Sequence, residues 1–393
     1  MAQRAVWLKP RLRSDDPGTS PRRVTWLELF YDVVFVVVIG QLSHTLSGNI
    51  SPTGLWHFFF LFIPTWWLWI AGTYYVEYWE TDDVSIRVVM FALMLPTVGL
   101  ALFVGDALGT SAHGYALTYA VARVVLAVLF FRVGWHDRQS RANAWSYAAG
   151  FATVAVLVAF SVLTPTKPRI ALWAVALAVE MVTPIVVTLT VRKQLPHRRE
   201  ISKLPERLGL FTIIVLGETV VGVFSGLWGV HDLNFGIAVT GTLGLAAAFE
   251  LWGIYFDFVA QRRFKAGIWW EWAWGYLHLA LVMAIVAVGA CLYHVVKSGD
   301  SALPADTKWL LVGATAFSLV AVATIEFTLE PPVQRGRGRE SMASKWIVAA
   351  AILALGLTGD AIGAGRLLVA IVVLLLIPAG SGMRLWLRGE SAA

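Results

Sequence analysis

Cysteine is almost missing from this chain. One residue, Cys291, among 393 excludes an intrachain disulfide and any site that needs several thiolates, iron–sulfur clusters included. Charge is scarce as well: 14% of residues are Asp, Glu, Lys or Arg, against roughly a quarter in soluble domains. With 58% hydrophobic residues and a mean hydropathy of +0.69, that scarcity excludes an ordinary soluble fold and points to a chain that crosses a membrane many times. Catalytic signatures are missing too. There is no His-rich metal cluster, no Gly-x-Ser-x-Gly elbow, no His-Glu-x-x-His and no nucleotide-binding loop, so neither a metal nor a cofactor is expected. The first 24 residues carry Arg4, Lys9, Arg11, Arg13, Arg22 and Arg23 without an apolar core of their own. A cleavable signal peptide is therefore not expected, and the first hydrophobic helix should serve as its own insertion signal.

What the chain does have is apolar runs of about 20 residues, the length a helix needs to cross the hydrocarbon layer. They predict an all-α transmembrane bundle of about 12 spans, near 27–47, 55–76, 87–104, 114–132, 145–164, 170–191, 208–228, 234–259, 272–295, 308–328, 345–360 and 366–387. The eleventh is short and broken by Gly356 and Gly359, which also suits a re-entrant segment. Pro64, Pro96 and Pro184 fall inside spans, where kinks are expected. The 19 Trp suit this class, some at the membrane–water interface and others within apolar runs, where they pack between helices.

The net charge of +6 would suggest nucleic acid in a soluble protein, but here the basic residues sit in loops and report orientation. With the N-terminus cytoplasmic, 25 of the 31 Lys and Arg fall in inside segments and 5 in outside loops, with Arg123 inside the fourth span. That asymmetry predicts both termini in the cytoplasm and supports an even number of spans. The organisation expected is a basic N-terminal segment (1–24), a first six-helix half (25–191), a basic linker (192–207), a second half (208–387) and a short tail (388–393). Paired features favour a parallel six-plus-six pseudo-repeat: Gly72 and Tyr74 with Gly253 and Tyr255, Gly40-Gln41 with Gly217-Glu218, and Val104-Gly105 with Val288-Gly289.

Ionisable residues inside spans are the leads to function, because each must be paired, hydrated or neutral to be tolerated there. They are Glu28, Asp32, His44, Arg123, Glu180, Glu218, Glu250, Asp257, His278, His294 and Glu326. Glu28 and Asp32 lie four apart at the mouth of the first span, on one helical face that must look into protein or water. Glu28, Asp257 and Glu326 are near cytoplasmic ends, so reaching the interface or capping a helix competes with a functional role. His44 and His294 read as interfacial. Glu218 falls about 11 residues, roughly 16 Å, into its span, near the bilayer centre. Arg123 and Glu180 are comparably deep. A structural ion pair explains Arg123 as well as a role in tuning a proton- or cation-binding carboxylate does. Glu250 and Asp257 share a face seven residues apart, with Gly253 allowing close helix approach and the Tyr255 hydroxyl able to bridge to a neighbour. His278 is the buried histidine whose proton could exchange near working pH.

Three stretches resemble one family. Leu27-Glu28-Leu29-Phe30-Tyr31-Asp32-Val33-Val34-Phe35-Val36, followed by Gln41-Leu42-Ser43-His44, looks like the opening signature of the bacterial low-temperature-requirement A membrane proteins. Pro205-Glu206-Arg207 with Leu210 to Glu218 resembles its central motif, and Glu250 to Asp257 resembles its later aromatic and acidic one. The three occur in order and span nearly the whole membrane portion. Where the family usually reads Phe-Phe-Asp or Leu-Phe-Phe, this chain has Phe30-Tyr31-Asp32, which adds a hydroxyl beside the carboxylate. The resemblance implies a multi-pass protein of the bacterial inner membrane, linked by name to growth in the cold, and makes Glu28, Asp32, Glu206, Glu218 and Asp257 its acidic motif residues.

The function expected is movement of a small solute or ion, with proton coupling as one form of it. The pathway residues are Glu28, Asp32, Arg123, Glu180, Glu218, Glu250, Tyr255, Asp257 and His278, and Glu206 and Arg207 sit at a cytoplasmic mouth. Two alternatives stand beside it: a membrane-embedded enzyme acting on lipid headgroups through carboxylates and His278, or a sensor or assembly factor without turnover. The partners expected are the bilayer and a small solute or ion, with no nucleic acid and the oligomeric state left open.

Overall fold

The computed structural model describes residues 24–79, 84–191, 203–230, 234–260, 262–330 and 337–387. The basic N-terminal segment up to residue 23, most of the 192–207 linker and the 388–393 tail lie outside them. Twelve α-helices follow in order: α1 (Trp26–Gly48), α2 (Pro52–Trp79), α3 (Val84–Phe103), α4 (Ala112–His136), α5 (Arg141–Ser161), α6 (Thr166–Thr190), α7 (Leu204–Trp228), α8 (Phe235–Tyr255), α9 (Ile268–Ser298), α10 (Ala305–Thr328), α11 (Arg337–Leu355) and α12 (Ala364–Leu387). All twelve carry a stretch long and apolar enough to cross a membrane. Among the described residues there is no strand, only one isolated antiparallel bridge between Phe264 and Leu329.

The helices exceed the expected spans mostly at their ends, where polar residues add turns outside the apolar stretch. The largest extension is in α11, which begins at Arg337, eight residues before the expected start at Lys345. It is a full helix closed by a 3-10 turn over Gly356–Ala361. The α8 helix also departs from regularity: after Tyr255 it widens into a π-type turn over Phe256–Ala260, a feature with no sequence signal that often marks functional sites. Pro64, Pro96, Pro184 and Pro378 are all held within continuous helices.

Local chemistry sets the helix ends. Thr25 and Glu28 form a reciprocal capping box on α1: the Thr25 N–H donates to Glu28 Oε2 at 2.7 Å and the Glu28 N–H to Thr25 Oγ1 at 3.3 Å. Asn234 caps α8 by accepting from the Ile237 N–H at 3.0 Å. Gly299, at φ 56°, closes α9 in a conformation that side chains disfavour. Hydroxyls inside the spans are satisfied locally, as where Thr73, Thr97 and Thr212 donate to the carbonyl four residues back at 2.8–2.9 Å.

The chain forms two compact units, one of residues 1–42 with 60–204, the other of residues 43–59 with 205–393. In the first, α3 packs on α4, α4 on α5 and α5 on α6, and α2 is the buried helix, with 72% of its apolar stretch enclosed. In the second, α9 takes that place at 78% and packs on α8, α10 and α12. A mostly enclosed helix gains little from a polar face, and both are apolar over most of their length. Lipid-facing helices divide instead: on α1, Tyr31, Phe35, Val38 and Leu42 are buried while Phe30, Val33 and Val37 are exposed.

Two glycines set the closest approach of α7 and α9 in the second unit. A Cβ on Gly222 would stand 2.2 Å from the Gly289 carbonyl oxygen, and one on Gly289 would stand 2.8 Å from the Glu218 carbonyl oxygen. Gly222→Ala should therefore force backbone apart and destabilise the protein by about 1–3 kcal/mol. Gly217→Ala, on the same helix with nothing within 4 Å of its would-be Cβ, should not destabilise it. Unfolding of the purified protein in detergent measures both, and equal stability of the two variants would contradict the close packing.

Candidate functional site

In the first unit the sequence-expected residues fall into two groups. Glu28 and Asp32 are both buried on the inner seam of α1, at 3% and 0% exposure. Glu28 is occupied by its capping box, with Lys203 Nζ 3.8 Å from Oε1. Asp32 Oδ1 accepts from the indole N–H of Trp69 at 2.8 Å. The Tyr31 hydroxyl donates to the Leu68 carbonyl at 3.3 Å, and a Cβ on Gly72 would come within 2.3 Å of it. Glycine on α2 thus makes room for the hydroxyl that distinguishes this chain's first motif.

The second group is an ion pair deep between α4 and α6. Arg123 Nε lies 2.7 Å from Glu180 Oε1. Tyr119, one turn before Arg123 on the same face, stands 2.7 Å from both Glu180 oxygens; it has one proton and donates to one of them at a time. Arg123 Nη2 donates to the Tyr119 oxygen, and the guanidinium lies over the Tyr119 and Phe151 rings at 4.7 and 5.6 Å. Arg123 is 0% and Glu180 5% exposed. Burial alone would be costly for either charge, and the pair with its hydroxyl bridge offsets that cost. Sequence reasoning offered Arg123 an ion pair with one of the deep carboxylates without fixing which, and missed Tyr119.

In the second unit, Glu218 sits fourteen residues into the 25-residue α7, about 21 Å along the helix. It is 5% exposed, and among the described residues it has neither a hydrogen-bond partner nor a cation. Glu250 of α8 is 6% exposed, and its Oε2 has no partner among the described residues. Tyr255 and His278, expected only as separate candidates, meet: His278 Nδ1 is 2.7 Å from the Trp274 carbonyl and Nε2 is 3.1 Å from the Tyr255 hydroxyl. A carbonyl only accepts, so Nδ1 carries the proton and Nε2 receives the Tyr255 hydroxyl hydrogen. His278 stands ten residues into α9 and is 0% exposed.

At the end of α8 the π-type turn turns Asp257 to the surface, where its carboxylate lies against Gly382 of α12 and within electrostatic reach of Lys345. Lys345 of α11, fully buried, pairs with Glu326 at 2.7 Å, donates to the Ser341 hydroxyl at 2.7 Å and lies 3.4 Å from the centre of the Phe258 ring. Ser341 donates in turn to Glu326 Oε2 at 2.9 Å. Arg262, between α8 and α9, stands 4.0 Å from Glu326 and donates to the Phe258 and Glu330 carbonyls. Burial lowers the Arg262 pKa and Glu326 opposes that shift. A guanidinium starts so high that it keeps its proton at neutral pH. Glu206 is exposed in the first turn of α7, beside the buried Arg207. No cluster of three metal-ligating side chains occurs among the described residues.

Removing one member of the α4–α6 pair leaves the other charged and buried. Arg123→Leu should cost about 3–5 kcal/mol, and Arg123→Leu with Glu180→Leu should recover most of it. Denaturant or detergent titration of the purified variants checks this. A double variant as unstable as Arg123→Leu alone would show that the pair is not what stabilises this part of the fold.

Comparison with known proteins agrees with the three motifs. An uncharacterized protein of Rhizobium meliloti (strain 1021) is 30% identical over 263 residues, covering 62% of this chain and 61% of that protein. The match spans about three fifths of the relative's length. The family model described as bacterial low temperature requirement A protein (LtrA) matches residues 23–377, from just before the α1 capping box to the middle of α12. The chain is therefore a member of the bacterial low temperature requirement A protein family.

Proposed function

We propose that this protein moves a small solute or ion across the bacterial inner membrane, with Glu218 as the deep exchange site and proton coupling as the form of transport that such a residue suits. The observation that carries the reading is the position of Glu218: a buried carboxylate near the middle of a spanning helix, without a countercharge among the described residues. A carboxylate so placed is stable when it holds a proton or a cation, and loses that stability when it holds neither. Arg123 and Glu180 neutralise each other and serve as a fixed partner pair. In the second unit, with Glu218, the polar pathway residues are Glu250, Tyr255, Asp257 and His278; Asp32 is the candidate of the first unit. Glu28 with Asp32 at the start of α1, and Glu206 with Arg207 at the start of α7, mark the cytoplasmic ends of their helices. The parallel six-plus-six repeat belongs to the same reading. Lipid chemistry gains no support, because His278 is fully enclosed and cannot reach a headgroup.

Proteoliposomes holding a pH-sensitive dye test this directly. The wild type should show a proton leak or a solute-driven pH change that empty liposomes lack, and Glu218→Gln should lose most of it. Flux that survives unchanged in Glu218→Gln would remove Glu218 from the pathway, and the absence of any solute or ion flux would remove the transport reading itself.

We also propose the orientation given by the basic loops, with both termini cytoplasmic. Cys291 is buried, so introduced cysteines label against a low background. Ala302→Cys, exposed between α9 and α10, should react with an impermeant maleimide on intact inverted-membrane-free cells, whereas Gln139→Cys, exposed between α4 and α5, should react only after permeabilisation. The opposite pattern would reverse the topology.

A further inference from the structure

In the first unit, the turn between α4 and α5 joins an aromatic surface to basic side chains. Phe131 and Trp135 lie in the last six residues of α4, and Trp145 is the fifth residue of α5. All three rings are exposed, yet they are built into place. The Trp145 indole N–H donates to the Phe131 carbonyl at 3.2 Å, its ring stacks on Phe131 at 5.8 Å, and Phe131 meets Trp135 at 6.2 Å. Gly134 makes room for this, since a Cβ there would stand 2.2 Å from Trp145 Cδ1. Exposed aromatic rings at the end of a spanning helix belong at the height of lipid headgroups. Arg141 ties this surface to charge. Its Nε donates to the Gly134 carbonyl at 2.9 Å near the end of α4, and its guanidinium lies 5.3 Å from the centre of the Trp145 ring. Capping uses Nε alone. Among the described residues, no acceptor meets the two terminal nitrogens of Arg141, and the exposed Arg138 has no partner. The acid of the turn is committed: Asp137 accepts from the Gln139 N–H at 3.0 Å and from the Ser140 hydroxyl at 2.6 Å.

The two kinds of surface select one occupant. A soluble anion would leave the rings uncovered, and an acyl chain alone would leave the arginines unmet. With Arg132 on α4, the turn carries three arginines against one aspartate. A zwitterionic phospholipid brings its phosphate with a cation attached, which those arginines repel. An anionic phospholipid brings phosphate and chains without that cation. We propose that the α4–α5 turn is a binding site for an anionic phospholipid. The terminal nitrogens of Arg141 take the phosphate, Arg138 adds charge from the same turn, and Phe131, Trp135 and Trp145 carry the glycerol and the upper chains. A planar guanidinium suits phosphate because its paired N–H groups match two oxygens at once. In the proposed orientation this turn faces the cytoplasm, the side whose leaflet carries a negative surface potential. The site itself depends neither on that orientation nor on the chain being a transporter.

Native mass spectrometry of the full-length protein in detergent, titrated with phosphatidylglycerol or with phosphatidylcholine of the same chains, reads the site. The wild type should hold phosphatidylglycerol more tightly. Arg141→Gln and Arg138→Gln should each weaken that binding about fivefold, the effect of one basic side chain at an anionic surface, and leave phosphatidylcholine unchanged. Trp135→Ala, which removes an exposed ring, should weaken both lipids. Arg138 makes no contact among the described residues, so its variant keeps the test available if losing the α4 cap unfolds Arg141→Gln. Equal affinity of the wild type for the two lipids would overturn the proposal, as would phosphatidylglycerol binding that survives both arginine substitutions. Arg384→Gln removes the same charge from the last turn of α12 and should change nothing. If it weakens phosphatidylglycerol as much as Arg141→Gln does, the effect is one of net charge and the site is refuted.

Discussion

The cost of placing a charge where water is scarce governs most of what is distinctive in this protein. A hydrocarbon layer leaves an ionised side chain three outcomes: a partner of opposite sign, contact with water, or loss of its charge. Several ionisable residues in the helices can be sorted by the outcome they have reached. Arg123 and Glu180 have a partner, and a tyrosine hydroxyl shared between them. Lys345 and Glu326 have a partner and a serine hydroxyl in the same arrangement. Both clusters follow one rule: the ion pair alone leaves lone pairs or protons unmet, and a hydroxyl group beside it meets them. His278 takes the third outcome, since its two ring nitrogens are committed to a carbonyl and a phenol as a neutral ring requires.

Helix number, helix order and the buried character of the Glu28 and Asp32 face were legible because they depend on patterns within a single span. Twenty apolar residues make a crossing whatever the rest of the chain does, and two carboxylates four apart share a face by helical geometry alone. The pairing of Arg123 with Glu180 was not legible in that way. The partners lie 57 residues apart on helices whose contact depends on packing, and the sequence offers several other carboxylates at similar depth. Tyr119 was overlooked for a related reason: a tyrosine within an apolar run looks like packing until its hydroxyl is seen to face a charge.

Lys345 shows how a boundary error hides chemistry. The apolar run of α11 begins at about residue 345, so the lysine looks like a loop charge reporting orientation. In the structure the helix begins at Arg337, and the two added turns place Ser341 one turn before Lys345, on the same face. The lysine then points inward against Phe258 and Glu326. The π-type turn at Phe256–Ala260 matters for the same reason. It adds a residue to the turn, exposing Asp257 while leaving Phe258 buried. No propensity signals such a turn, because what stabilises it is the set of contacts it makes possible.

Glu218 differs from these residues because, among the described residues, neither a charge nor a hydroxyl is placed to satisfy it. Its surroundings are nonetheless tightly built. The backbone around Glu218 touches Gly289, and Gly222 one turn later touches the same residue, so α7 and α9 meet without side chains between them. Separating the helices here would forfeit the close backbone packing that the two glycines allow. A change of state at Glu218 is therefore easier to accommodate at its carboxyl group, by gain or loss of a proton or a bound cation, than by opening this contact. In the transport reading proposed above, the rigid backbone would hold the group in position and the unneutralised carboxylate would give it something to bind.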